Sequence, residues 1–233
     1  MRLPDESFPG ADGHRWHSPD YVAAWISARE QHATPEYRDR HRERLAAVER
    51  SIPQPREAPI TILDLGAGWG RLIRHLLDAF PNARAVACDG SRPMLREARR
   101  ALSAYAGRVQ FVECDLEQPG AFADLGTAFD AVVSTETLHH VGTRRLAALY
   151  REVSAVLRPG GAFVGLDRVR RRRDSLLSAI ARCLPSASTG GAAVHGATRA
   201  QHLRMLRGAG FAVCWRAVGT RVLIVATRRP TAS

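Results

Sequence analysis

The stretch Asp64-Leu65-Gly66-Ala67-Gly68-Trp69-Gly70 closes the apolar run ITILDL (60–65) and leads without a break into RLIRHLLDAF (71–80). A strand that ends in glycines and turns straight into a helix lets backbone approach a ligand at the carboxyl edge of a sheet. A tight turn with positive φ explains one or two glycines. Three alternate glycines behind an acid point to a ligand. The spacing separates the candidates: a dinucleotide fingerprint reads G-x-G-x-x-G, whereas here Arg71 stands where the third glycine would be. A P-loop ends in GK[ST], and the chain has no lysine. The turn therefore fits a nucleoside ligand without a pyrophosphate.

Outward from this turn, Leu72, Leu76 and Leu77 recur at helical spacing, and the strand–helix alternation repeats. ARAVAC (83–88) precedes PMLREARRALSAY (93–105), and RVQFVE (108–113) precedes a loop. FDAVVS (129–134) precedes TRRLAALYREVSAVL (143–157), which stops at Arg158-Pro159-Gly160-Gly161 before a fifth strand, GAFVGLD (161–167). Five buried-type strands alternating with helices predict an α/β fold, its parallel sheet covered on both faces. Thr198 and Gln201 make a capping box for TRAQHLRMLRGAG (198–210). GFAVCWRAV (210–218) and TRVLIVAT (220–227) are joined by Gly219, too short a link for a parallel crossover, so they form an antiparallel hairpin. Upstream, SPDYVAAWISARE (18–30) and PEYRDRHRERLAAVER (35–50) read as helices, each opened by a Ser or Thr cap and a proline. SIPQPREAP (51–59) is a linker, and the first 20 or so residues form an extended arm.

Composition bounds the function. No apolar run approaches the roughly 20 residues that span a bilayer, and Asp5 and Glu6 stand where a signal peptide is apolar, so a cytoplasmic protein is expected. Cys88, Cys114, Cys183 and Cys214 lack metal-site spacing and read as buried free thiols. The net charge of +11 comes from arginine alone, which excludes a lysine nucleophile and favours a polyanionic partner: nucleic acid, a phosphorylated small molecule or an acidic carrier.

Two further acids close the next strands. Asp89 follows Asp64 by 25 residues, where a carboxylate can accept both ribose hydroxyls, and Asp115 ends FVECDL, where it can meet an exocyclic amine. Either alone reads equally as a cap of its turn. From Ile60 to Val225 the sequence resembles the class I S-adenosylmethionine-dependent methyltransferases, and within them the small-molecule branch of quinone and sugar O-methyltransferases. DLGAGWG matches the first motif, Asp89 the ribose acid and CDL (114–116) the adenine-side acid. LRPGG (157–161) and the final hairpin match as well. The resemblance implies a Rossmann-like seven-stranded sheet of order 3-2-1-4-5-7-6, strand 7 antiparallel. It also implies S-adenosyl-L-methionine as cofactor, held by Asp64, Gly66, Ala67, Gly68, Gly70, Asp89, Gly90, Ser91, Met94, Cys114, Asp115, Leu116, Ser134 and Thr135. Trp69 departs from the smaller residue usual in the family.

After the fourth strand comes Ser134-Thr135-Glu136-Thr137-Leu138-His139-His140, on a loop that faces the ligand crevice. Methyl transfer requires alignment and often removal of a proton from the acceptor, for which a histidine suits neutral pH. The paired histidines and Asp167 resemble sugar O-methyltransferases. The resemblance assigns His140 or His139 as base and Asp167 as its orienting group, with Glu136 beside them. These residues are not expected to hold a metal. Residues 1–58 would be a helical arm and lid over the methyltransferase domain (59–233), with 168–197 a substrate-lid insertion. Trp16, Tyr21, Trp25, Arg168 and His195 would line the acceptor pocket. The arginines at 168–173 raise the case for an anionic acceptor. The expected reaction is methyl transfer to an O-, N- or C-atom of a small molecule in natural-product biosynthesis. Two alternatives stand beside it: an rRNA or tRNA methyltransferase, favoured by charge but lacking an Asn-Pro-Pro-Tyr-type motif, and a related protein that uses the cofactor non-canonically. Neither a membrane partner nor any particular oligomeric state follows from the sequence.

Overall fold

Successive residues of the central strand, β1 (Thr61–Leu65), point into two different cores: Ile62 joins one apolar cluster, Leu63 and Leu65 the other. The computed structural model describes residues 13–126, 128–170 and 196–229. Around β1 lie β2 (Arg84–Asp89), β3 (Val109–Glu113), β4 (Phe129–Thr135), β5 (Leu157–Asp167), β6 (Phe211–Val218) and β7 (Arg221–Arg228). The order is β3-β2-β1-β4-β5-β7-β6, with β7 antiparallel to both its neighbours and every other pairing parallel. This is the topology the resemblance implied.

Among the described residues the α-helices are α1 (Pro19–Gln31), α2 (Pro35–Glu49), α3 (Arg71–Ala79), α4 (Arg92–Ala101), α5 (Thr143–Val156) and α6 (Arg199–Gly208). On one face Val48 of α2, Leu72, Ile73 and Leu76 of α3 and Leu95 of α4 pack with Ile62, Val133 and Val164. On the other, Leu149 and Val153 of α5 and Leu206 of α6 pack with Leu63, Val132 and Phe163. Ser18, Thr34, Ser91 and Thr198 cap α1, α2, α4 and α6, and Thr198 and Gln201 complete the expected capping box. α3 and α5 have no side-chain cap, the N-cap of α3 being Gly70 in the left-handed region. Burial of Leu72, Leu76 and Leu77, roughly 1.5–3 kcal/mol each, outweighs the ~1 kcal/mol that a cap contributes.

Several boundaries differ from the sequence reading. β5 starts at Leu157, four residues early. Leu157 pairs with Phe129 and Ala162 with Ala131, so the Pro-Gly-Gly is absorbed as a register shift inside the strand. α4 stops at Ala101, and Ser103–Arg108 is a 3-10 stretch. Gly13–His17 is a 3-10 turn, not extended chain. The thiols are corrected too. Cys88 and Cys114 form a disulfide between the ends of β2 and β3, with Cα atoms 5.7 Å apart, and Cys214 is free but exposed. Cys183 lies outside the described residues. Among these residues no helix is long and apolar enough to cross a membrane.

Candidate active site

The glycine turn is built for close approach. Gly66, Gly68 and Gly70 have φ of 75°, 54° and 85°, the left-handed region that L side chains rarely adopt. A Cβ on Gly66 would stand 2.2 Å from the Thr137 side chain, whereas one on Gly68 would meet nothing within 4 Å. The first glycine thus seats the turn against the β4 loop, and the second leaves open space. Gly66 and Ala67 both donate to the Cys88 carbonyl, at 2.8 and 3.0 Å, which knits the turn to β2.

Asp89 Oδ2 accepts from the Gly68 N–H and Oδ1 from the Ser91 N–H, each at 2.8 Å. Burial raises its carboxyl, against the pull of those two N–H groups and of the His17 charge. Asp64 has no such support. It is buried, and among the described residues neither carboxylate oxygen has a hydrogen-bond partner. Burial first, then the Asp89 charge, push it up to about 8. A buried carboxylate without a donor is costly unless a cation arrives. S-adenosylmethionine fits these residues: its ammonium suits Asp64, its ribose suits Asp89, whose oxygens retain lone pairs, and the open space at Gly68 admits it.

The other residues expected to hold the cofactor make the following contacts. Ser91 accepts from Met94 N–H at 3.1 Å as the α4 cap and donates to the Trp16 carbonyl. A Cβ on Gly90 would lie 3.5 Å from the Cys114 carbonyl, an ordinary van der Waals contact. Met94, Cys114 and Leu116 are buried. Asp115 is exposed and caps its own turn, accepting from Glu117 N–H at 2.9 Å and Gln118 Nε2 at 3.4 Å. Ser134 Oγ donates to the Leu65 carbonyl at 2.9 Å, tying β4 to β1. The Thr135 carbonyl accepts from Thr137 Oγ1 at 3.0 Å, and the Gly66 carbonyl from the same hydroxyl at 3.3 Å.

Beyond Thr137 the chain turns into a buried polar cluster. His139 Nδ1 lies 2.7 Å from Asp167 Oδ1, at the end of β5. Asp167 also accepts from the N–H groups of Thr137, His139 and Arg168, at 3.1, 3.2 and 2.6 Å. Burial pushes its carboxyl up, but the His139 ring and the N–H groups of Arg168 and His139 outweigh that and hold it below its ordinary value. Arg168 Nη2 stands 2.8 Å from His139 Nε2. A guanidinium can only donate, so Nε2 accepts and Nδ1–H donates to Asp167, which fixes the neutral tautomer. The His140 ring, exposed, lies 4.0 Å from that of His139. Glu136, at a left-handed φ of 54°, gathers guanidiniums: Arg221 bonds it, Arg168 Nε is 3.6 Å away and Arg44 of α2 3.8 Å.

Trp16, Tyr21 and Trp25 pack edge to face, Trp16 having centroids 5.3 Å from each of the others, so they form one aromatic knot on the N-terminal segment. His195 lies outside the described residues. Sequence reasoning missed Thr137, Arg44, Arg221 and Gly196. A Cβ on Gly196 would lie 3.2 Å from the His139 backbone, at φ 129°. The only local signal was a glycine beside a histidine in an apparently loose loop.

A family model described as a methyltransferase domain matches residues 62–161. Trans-aconitate 2-methyltransferase of Azoarcus sp. is 34% identical over 107 residues, covering 46% of this chain and 38% of that protein. The tetracenomycin polyketide synthesis 8-O-methyl transferase TcmO of Streptomyces glaucescens is 31% identical over 122 residues, 51% of this chain and 34% of its own length. The chain thus spans less than two fifths of either relative. An O-methyltransferase family protein from Burkholderia thailandensis shares the fold, with a TM-score of 0.70 at 22% identity, covering 95% of this chain and 63% of that one. With the sheet order, the glycine turn and the orphaned Asp64 in agreement, residues 62–161 form a methyltransferase domain of the class I S-adenosylmethionine-dependent kind.

Proposed function

We propose that the chain methylates a small molecule of natural-product biosynthesis at an O-, N- or C-nucleophile that carries a proton, with a histidine as the base. The observation that supports this reading is the His139–Asp167 pair at 2.7 Å, two residues beyond the Thr137 that touches the glycine turn. When bound, S-adenosylmethionine supplies a methyl group on a sulfonium for in-line transfer. Asp64 would hold its ammonium and Asp89 its ribose hydroxyls. Asp167 fixes the His139 ring by Nδ1 and stabilises the positive charge that appears there when Nε2 takes the acceptor's proton. For that, the Arg168 guanidinium must leave Nε2, and an acidic group on the acceptor would draw it away. The guanidiniums around Glu136 favour such an anionic acceptor. His140, exposed beside His139, is the second candidate base. Residues 1–58, with Trp16, Tyr21 and Trp25, would act as lid, and 168–197 as the insertion that selects the acceptor.

A panel of phenolic, sugar and carboxylate acceptors, incubated with methyl-labelled S-adenosylmethionine, is expected to give one product heavier by a methyl group. Label entering RNA and none of the small molecules would overturn the reading.

A further inference from the structure

On the flank of α3, beside the glycine turn, lies an open cavity of about 500 Å³ whose lining, Gly70 apart, the methyl-transfer reading leaves unused. That volume is in the range of ordinary small-molecule sites. Its walls come from the end of α1, from α2, from α3 and from the glycine turn's last residues, Trp69 and Gly70. The helical repeat explains the lining. Arg71, Arg74 and Asp78 recur at i, i+3 and i+7 on one stripe of α3, facing Arg29 of α1 and Arg38 of α2.

Four guanidiniums thus surround one small volume against two carboxylates, Glu30 and Asp78. Asp78 is already engaged by the Tyr105 hydroxyl, and Arg74 reaches the Ala101 carbonyl. Arg29 Nη1 donates to the Tyr37 hydroxyl at 2.9 Å, while its Nε is buried with no hydrogen-bond partner among the described residues. Burial lowers the Arg71 guanidinium below its ordinary value; Tyr37 opposes this and the Arg29 charge reinforces it. Arg71 in turn lies 5.4 Å from the centroid of the Trp69 ring. Arg29 and Arg71 are partly buried, Arg38 and Arg74 exposed; a multivalent anion would relieve the crowding of like charges, and an indole in the same wall accepts a flat ring. Carboxylates at the margin can take a sugar hydroxyl or an exocyclic amine.

We propose that this α3-flank cavity is a nucleoside-phosphate site, separate from the cofactor cleft. The phosphates sit among Arg29, Arg38, Arg71 and Arg74, the base against Trp69, and Glu30 takes a polar hydrogen of the nucleoside.

Titration calorimetry with ADP on the full chain tests it, with and without saturating S-adenosylhomocysteine. Expected are binding in both conditions, at least tenfold weaker binding of adenosine, and weakening with added salt. Arg71→Gln and, on exposed α2 surface, Arg38→Gln should each weaken ADP at least fivefold, and Trp69→Phe should weaken ADP more than pyrophosphate. The Arg38 variant keeps the test open if the Arg71 variant misfolds. Loss of ADP binding when S-adenosylhomocysteine is present would mean that ADP enters the cofactor cleft, and the proposal fails. It fails equally if ADP does not bind, or binds undiminished to the Arg38 and Arg71 variants. Because the measurement needs no methyl transfer, it stands apart from the fate of the proposed reaction.

Discussion

Asp64→Asn is expected to make the cofactor-free protein more stable at pH 7 while destroying its cofactor site. In the folded chain Asp64 is pushed up to about 8 and holds its proton at neutral pH, whereas unfolded it ionises near 3.8. The unfolded state therefore binds fewer protons between these values, so stability falls as pH rises from about 4 towards 8 and levels off above. The penalty is absent below about pH 4 and complete above about pH 8. At about 1.4 kcal/mol per unit, asparagine should recover roughly 2–4 kcal/mol at pH 7. Thermal melts across pH 4–8 should show a falling curve for the parent and a flatter one for the variant. Cofactor binding should release close to one proton at pH 7, as the incoming ammonium ionises Asp64, and calorimetry in buffers of different ionisation enthalpy reads that proton. A variant that is less stable than the parent at pH 7, or a parent that releases no proton, contradicts this account of Asp64.

The second large effect belongs to the proposed base. His139→Ala is expected to lower kcat by about 10²–10⁴, the usual contribution of a positioned general base. Asp167→Asn should lower it a hundredfold or more with little change in KM, because the carboxylate acts on the ring and not on the acceptor. Since Asp167 lies below its ordinary value, it stays ionised through neutral pH, and the acid side of the rate profile should show a single ionisation. Cofactor affinity should be unchanged in both variants, which separates lost chemistry from a damaged fold. If His139→Ala keeps its rate and His140→Ala loses it, the base is His140.

The frame of the molecule was legible because it is local. ITILDL, the alternate glycines and the leucines of α3 each signal within ten residues, and Gly219 allows nothing but a hairpin. What escaped was non-local. The Pro-Gly-Gly reads as a break, yet its glycines let β5 run on from Leu157: a Cβ on Gly161 would lie 3.1 Å from the Asp130 carbonyl, on the neighbouring strand. The Cys88–Cys114 disulfide joins residues 26 apart, brought together only by parallel pairing of β2 and β3. At the site, the acids at three strand ends could be picked out, but their duties could not: Asp89 is gripped by two N–H groups, Asp115 caps a turn, and Asp64 has no donor. Likewise the histidine pair was visible, whereas Arg168 on Nε2 depends on where β5 ends beside the β4 loop.

The central claim is that the glycine turn and Asp89 bind S-adenosylmethionine, and calorimetric titration of the parent and of Asp89→Ala tests it most directly. The account predicts one site in the parent and, with a doubly hydrogen-bonded carboxylate removed, a loss of about 2 kcal/mol or more, roughly thirtyfold in affinity. A parent protein that binds neither S-adenosylmethionine nor S-adenosylhomocysteine would contradict it.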